Sequence, residues 1–119
     1  LWLVMAELAC LPEKLGNLTE TGTRPTAKDV TRLEGLIDQA TIRFDPPTEF
    51  VVPGENEISA RLDFARTVTR RAERSALAVA AKDSFVVPYL NRLSDLLWAL
   101  ARAEEDTSVT AQSVNNQDS

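Results

Sequence analysis

Apolar residues recur at helical spacing in three segments of the chain, and each segment predicts an amphipathic helix. In the first, over residues 26–43, they fall every three or four positions, the spacing of one helix face; they are Val30, Leu33, Leu36, Ile37 and Ala40. Thr26 and Asp29 fit an N-cap with a carboxylate near the positive helix end. Asp45 and the two prolines after it stop the helix, because proline lacks an N–H donor.

The second segment, residues 59–81, carries two stripes. One is apolar and consists of Phe64, Val68, Ala72 and Val79, here called the apolar stripe. The other, here called the arginine stripe, consists of Arg66, Arg70 and Glu73. Asn56 or Ser59 can cap this helix. The periodicity predicts that the apolar stripe is buried.

A third helix is predicted over residues 88–103. Pro88 fits its first turn, where a missing N–H costs nothing. The stripe predicted to be buried consists of Tyr89, Leu93, Leu96, Leu97 and Leu100. The opposite face carries Asn91, Asp95, Trp98 and Arg102. A large indole among polar groups indicates a contact surface.

Three helices with uncovered apolar faces predict an all-α helical bundle, packed around Leu33, Val68, Leu93 and Leu97. Residues 1–10 are apolar without a preceding cap and are expected to end a longer helix, whereas residues 11–25 hold the prolines and glycines typical of a loop. The polar, aperiodic residues 105–119 predict a disordered tail. The expected organisation is one domain over residues 1–104, incomplete at its N-terminus.

Composition narrows the classes of function. A net charge of −5 argues against a general nucleic-acid binder, and no apolar run approaches the length of a membrane span. The chain has no histidine, which excludes Ser-His-Asp and Cys-His catalytic systems and the usual zinc sites. The single cysteine, Cys10, excludes an intrachain disulfide and fits a cytoplasmic protein.

The arginine stripe is the main candidate for chemistry. Arg66 and Arg70 lie one turn apart, and two forked guanidiniums can bind phosphate oxygens. The alternative is a solvated helix face on which Glu73 neutralises Arg70. Phe50, in the extended stretch before Pro53 and Gly54, is interpreted from the residues alone as a core residue.

Three motifs in order resemble the PduO-type ATP:corrinoid adenosyltransferases. They are FVVPG at residues 50–54, RTVTRRAER at residues 66–74 and YLNRLSD at residues 89–95. The resemblance spans residues 1–102. It implies a five-helix, ferritin-like bundle that assembles as a homotrimer, with each active site between subunits. It also implies a preceding helix and a phosphate-binding stretch N-terminal to residue 1.

The implied activity is transfer of the 5′-deoxyadenosyl group of ATP to cobalt(I) of a corrinoid, with release of triphosphate accompanied by Mg²⁺. By the resemblance, the ATP-site residues are Arg70, Glu73, Arg74 and Asn91. Arg66 would support that site across the subunit interface. Phe50 would lie against the lower face of the corrin, and Trp98 would wall the corrin pocket.

Two other interpretations stay open at this stage. One is a non-catalytic helical interaction module that kept the fold, and the other is a nucleotide-binding bundle without a corrinoid. For the enzyme, the expected partners are the two substrates, a corrinoid reductase and an adenosylcobalamin-dependent enzyme. Neither nucleic acid nor membrane is an expected partner.

Overall fold

The computed structural model describes residues 1–44 and 56–117, with side chains up to residue 105. The described residues form helices and no strand, which confirms the all-α prediction. The helices are α1 (Trp2–Ala9), α2 (Leu15–Thr21), α3 (Ala27–Thr41), α4 (Glu57–Ala76) and α5 (Val86–Gln117), with a short 3-10 helix at Pro12–Lys14. Among them, none is both long enough and apolar enough to cross a membrane.

Side-chain caps fix where two of the long helices begin. At α3, the Thr26 backbone N–H donates to Asp29 Oδ2 at 2.9 Å, which confirms the predicted cap. At α4, the Ser59 backbone N–H donates to Asn56 Oδ1 at 2.7 Å, and the Asn56 N–H donates back to Ser59 Oγ at 3.2 Å. Asn56 is therefore the cap of α4, and Ser59 reciprocates.

Several predicted boundaries are wrong. Residues 11–25 are not all loop, because α2 forms there and ends at Gly22, whose φ of 69° is the left-handed conformation that glycine adopts without steric cost. The second long helix ends at Ala76 rather than near residue 81. The third continues to Gln117 rather than ending near Ala103. The division into a domain of 1–104 and a tail stays a prediction.

The main core lies between α3 and α5, which pack against each other. Its buried residues are Leu33, Ala40, Phe44, Leu96, Ala99 and Ala103. Leu93 packs half-buried against this cluster, and Leu97 is also half-buried. Burial of Leu33 and the partial burial of Leu93 and Leu97 agree with the core predicted from periodicity.

The orientation of α4 differs from the prediction. Val68 is 52% exposed and Phe64 is 71% exposed, so the apolar stripe faces outward in the single chain. Ser59 and Asp63 are buried instead, on the polar side of the helix. The reason is that α5 presents polar side chains to α4, and these pair with the polar side of α4, as described below.

α1 is tied to the rest of the fold by a buried carboxylate. Glu7 is 4% exposed, and its Oε1 accepts from Arg24 Nε at 2.7 Å. Its Oε2 accepts from Ser84 Oγ, which in turn accepts from the Val86 N–H at 3.1 Å, at the start of α5. Val4 adds an apolar contact in a second cluster with Ala76, Val86 and Leu90. One side chain thus joins α1, the segment before α3 and the first turn of α5.

Replacement of Glu7 tests whether its contacts with Arg24 and Ser84 stabilise the fold. Glu7→Ala leaves a mostly buried guanidinium and a hydroxyl without their acceptor, so we expect the free energy of unfolding to fall by about 3 kcal/mol. Urea titration followed by circular dichroism measures it. The matched control is Glu57→Ala, whose partner Arg61 lies at 2.8 Å in an exposed pair, and its loss should stay below about 1 kcal/mol. Equal effects would show that Glu7 is not a structural joint.

Candidate functional site

The arginine stripe lies along the contact between α4 and α5. Arg66 and Glu73 are half-buried on the side of α4 that faces α5. Arg70 and Arg74 are exposed, and they lie one turn apart on the same helix. The arginine stripe, extended by Arg74, therefore has a half-buried part and an exposed part.

One hydrogen bond joins two of the predicted site residues across the helices. Asn91 Nδ2 on α5 donates to Glu73 Oε1 on α4 at 3.1 Å. Asn91 Oδ1 accepts from Arg92 Nη2 at 2.5 Å, and Arg92 pairs with Asp95 at 2.7 Å. Because an amide that both donates and accepts is fixed in orientation, Asn91 and Glu73 form a defined pair.

Beneath the arginine stripe lies a buried ion cluster, consisting of Asp63 on α4 and of Arg102 and Glu105 on α5. The three residues are 5%, 6% and 7% exposed, respectively. Arg102 Nη2 donates to Asp63 Oδ2 and, at 3.1 Å, to Glu105 Oε1. Arg102 Nε lies 2.9 Å from Glu105 Oε2. The forked guanidinium thus bridges two carboxylates and joins the helices.

Arg66 approaches this cluster from the rim. Its Nε lies 3.8 Å from Asp63 Oδ1, one turn earlier on α4. Within the part of the chain that the structure describes, neither of these two buried atoms makes a hydrogen bond. Arg66 and Asp63 are therefore an ion pair whose two facing atoms do not form a hydrogen bond with each other.

The prediction that Trp98 and Arg102 lie on a polar face away from the core is wrong. Trp98 is half-buried and packs edge-on against Phe44, with ring centroids 6.0 Å apart. The Arg102 guanidinium lies 5.6 Å from the centre of the indole. Within the chain, the Arg66 face thus contacts Asp63 and the Trp98 face contacts Phe44 and Arg102. Phe50 lies outside the described residues.

The geometry can bind an anion at the exposed part of the stripe. Arg70 and Arg74 each offer forked donors that stay charged at neutral pH. Glu73, between them in sequence, is turned toward Asn91 rather than toward either arginine in the contacts that the structure records. The alternative in which Glu73 neutralises Arg70 is therefore not the arrangement observed among the described residues.

Sequence reasoning missed the buried ion cluster. Two signals were available: Asp63 precedes Arg66 by three residues, and Arg102 precedes Glu105 by three, both spacings that place opposite charges on one helix face. The bond between Asp63 and Arg102 spans 39 residues, so no local pattern contains it.

The sequence of the chain is similar to a protein family and to several known proteins. Residues 1–104 match the sequence model of a family described as Cobalamin adenosyltransferase. The chain is 43% identical over 83 residues to the corrinoid adenosyltransferase PduO of Salmonella typhimurium. The aligned segment covers 67% of this chain and 25% of the relative. A corrinoid adenosyltransferase of Citrobacter freundii is 41% identical over 110 residues, covering 90% of this chain and 61% of the relative.

A human protein is also similar to this chain. The corrinoid adenosyltransferase MMAB of Homo sapiens is 42% identical over 79 residues, covering 64% of this chain and 32% of the relative. The chain thus spans between a quarter and about three fifths of the length of these curated relatives.

The buried ion cluster generates a stability prediction. Arg102→Met keeps an unbranched side chain but leaves Asp63 and Glu105 buried without their cation, so we expect a loss of about 3–5 kcal/mol in the free energy of unfolding. Chemical denaturation measures this loss. Arg92→Met, the same change at an exposed ion pair of α5, is the control and should cost less than about 1 kcal/mol. An Arg102→Met variant as stable as the parent would contradict the burial of the cluster.

Proposed function

The chain belongs to the cobalamin adenosyltransferase family, and we propose that it transfers the 5′-deoxyadenosyl group of ATP to cobalt(I) of a corrinoid, releasing triphosphate and forming adenosylcobalamin. The observation that carries this proposal is the contact of α4 with α5, in which Asn91 and Glu73 meet at 3.1 Å beside the exposed Arg70 and Arg74. Recognition of both polar and anionic parts of ATP needs such a combination of groups.

The transfer is a displacement at the 5′ carbon of ATP. Cobalt(I) supplies an electron pair and forms the cobalt–carbon bond, while the bond from that carbon to the triphosphate oxygen breaks and the oxygen keeps its electron pair. Negative charge therefore builds on the triphosphate as it leaves. Arg70 and Arg74 act as fixed cations at that charge, so they favour the transition state over the bound substrate.

Glu73 and Asn91 suit the uncharged part of ATP. A carboxylate repels phosphate, but it accepts hydrogen bonds from hydroxyl and amino groups. The hydrogen bond from Asn91 on α5 occupies one carboxylate oxygen of Glu73 and joins α5 to α4 at this point. We assign both residues to the nucleoside, with the exposed arginines assigned to the phosphates. Mg²⁺ would be bound mainly by triphosphate oxygens, which are the hard ligands it prefers.

The corrinoid side of the proposal involves Phe50 and Trp98. Phe50 would lie against the lower face of the corrin and keep a ligand off cobalt, which lowers the cost of reducing cobalt(II) to cobalt(I). Trp98 would wall the pocket with the part of its indole that Phe44 and Arg102 leave uncovered. Support for the place of the pocket comes from Phe44 and Asn56, the described residues that flank the segment containing Phe50. Both contact α5, at Trp98 and at the Glu104 carbonyl, respectively.

We further propose that the protein is a homotrimer in the cytoplasm. A corrinoid reductase would act before the reaction, and an adenosylcobalamin-dependent enzyme would use the product. The apolar stripe supports assembly, because Phe64 and Val68 stand exposed one turn apart on α4. Apolar groups of this size in one row are more typical of a protein contact than of a free surface.

Separate substitutions on the two sides of the site test the reaction. Arg70 is exposed, so Arg70→Ala removes a phosphate partner without opening a cavity, and we expect ATP binding to weaken about ten- to a hundredfold, since a hydrogen bond to a charged group contributes about 1.5–3 kcal/mol. Phe50→Ala should leave ATP affinity unchanged and slow the formation of cobalt(I) and of adenosylcobalamin. Titration calorimetry measures the first effect, and corrinoid absorbance measures the second.

Arg61→Ala serves as the control for Arg70→Ala, because Arg61 is an exposed arginine of α4 that pairs with Glu57. It should leave ATP affinity unchanged. Equal losses of ATP affinity in the Arg70 and Phe50 variants would show that the roles are assigned wrongly. ATP binding without any change in corrinoid absorbance would instead indicate a nucleotide-binding bundle, and no binding at all would indicate a non-catalytic module.

Assembly is tested on the apolar stripe. Val68→Glu places a charge in the proposed contact, and we expect it to convert a trimer into monomers in light scattering at micromolar concentration. Thr67→Glu, an equally exposed change next to it on α4, should leave the trimer intact. A parent chain that is monomeric at that concentration would rule out the trimer and a site shared between subunits.

A further inference from the structure

Asp63 is a buried group one turn before Arg66 of the arginine stripe, and its two oxygens face different residues. Oδ2 accepts from Arg102 on α5, which fixes the carboxylate from below. Oδ1 faces Arg66 Nε at 3.8 Å. Asp63 is 5% exposed, so its position is set by protein groups rather than by water. Asp63 therefore links Arg102 and Glu105 of the buried ion cluster to Arg66 at the rim of the proposed ATP site.

The formal charges make Arg66 the counterion of the cluster. Asp63 and Glu105 contribute two negative charges, and Arg102 contributes one positive charge, so the buried cluster alone carries a net charge of −1. Arg66 brings the sum to zero. Because an unbalanced buried charge is costly, the field of the cluster attracts the Arg66 guanidinium toward Asp63.

The open hydrogen bond supports the same assignment. Asp63 Oδ1 and Arg66 Nε are both buried without a hydrogen-bond partner among the described residues. They lie about 1 Å beyond hydrogen-bond distance, since a charged N–H···O contact forms at about 2.7–2.9 Å. A small rotation of the Arg66 side chain brings these two atoms within hydrogen-bond distance of each other.

We propose that Asp63 is a positioning residue for the ATP site: fixed by Arg102, it holds Arg66 at the α4–α5 rim in the orientation that supports ATP binding. This inference rests on the proposed function. Arg102 and Glu105 act only through Asp63, and none of the three buried residues touches ATP.

Electrostatics and positioning make opposite predictions for removal of the Asp63 charge. If Asp63 acted only through its charge, its neutralisation would raise the local positive potential and strengthen the binding of an anion. If it positions Arg66, neutralisation releases the guanidinium and weakens binding. The sign of the change in ATP affinity therefore distinguishes the two roles.

A double-mutant cycle provides the test. MgATP is titrated calorimetrically into the parent chain, Asp63→Asn, Arg66→Ala and the double variant. We expect Asp63→Asn to weaken ATP binding about tenfold in the parent background, the order of one charged hydrogen bond. In the Arg66→Ala background the same change should alter affinity by less than about twofold, because two residues that act as a unit are not additive.

Controls separate this result from loss of fold. Glu57→Gln, an exposed acid of α4 paired with Arg61, should leave ATP affinity unchanged, and thermal unfolding of every variant is recorded alongside. Asp63→Glu keeps the charge but moves the carboxylate, and it takes the place of Asp63→Asn in the cycle if the asparagine variant does not fold.

Each outcome bears on a different claim. Weaker binding that vanishes in the Arg66→Ala background supports the positioning role. Unchanged or tighter binding in Asp63→Asn, or an equal loss in both backgrounds, overturns the positioning role and leaves the proposed function standing. A parent chain that does not bind MgATP overturns both.

Discussion

The contact between Asp63 and Arg102 is the constraint on which the arrangement of α4 and α5 depends. A guanidinium that is 6% exposed needs acceptors for its buried N–H donors, and Glu105 on its own helix is one of the two carboxylates that it contacts. The other is Asp63 on α4, which brings the polar side of α4 toward α5. The Asn91–Glu73 bond, three turns away along α4, reinforces the same orientation.

The same contact explains features that otherwise have no common cause. With its polar side inward, α4 presents Phe64 and Val68 outward, where a second surface can cover them. Arg102 also covers the indole of Trp98, which packs on Phe44 at the end of the segment after α3. The helix with the proposed phosphate-binding arginines and the residues flanking Phe50 are thus fixed to one stretch of α5.

The sequence predicts the local features of this fold and misses those that join distant residues. Periodicity located the three long helices, and the Thr26 and Asp29 pattern predicted a cap, because caps and helix faces are set by neighbours in sequence. Periodicity could not predict that the polar side of α4 faces α5, because an apolar stripe shows only that some surface covers the stripe. Arg102 was placed on a polar face because its partner Asp63 lies 39 residues away. The resemblance named Glu73 and Asn91, but their contact with each other required the structure.

The most direct measurement of the central claim is NMR of the arginine side chains during titration with MgATP. In the proposed mechanism, buried arginines hold the helices together and exposed arginines bind the triphosphate. This mechanism predicts saturable shifts of the Nε–H signals of Arg70 and Arg74, while the signal of Arg102 neither shifts nor exchanges rapidly with solvent. A shift at Arg102 with none at Arg70 or Arg74 would contradict the account.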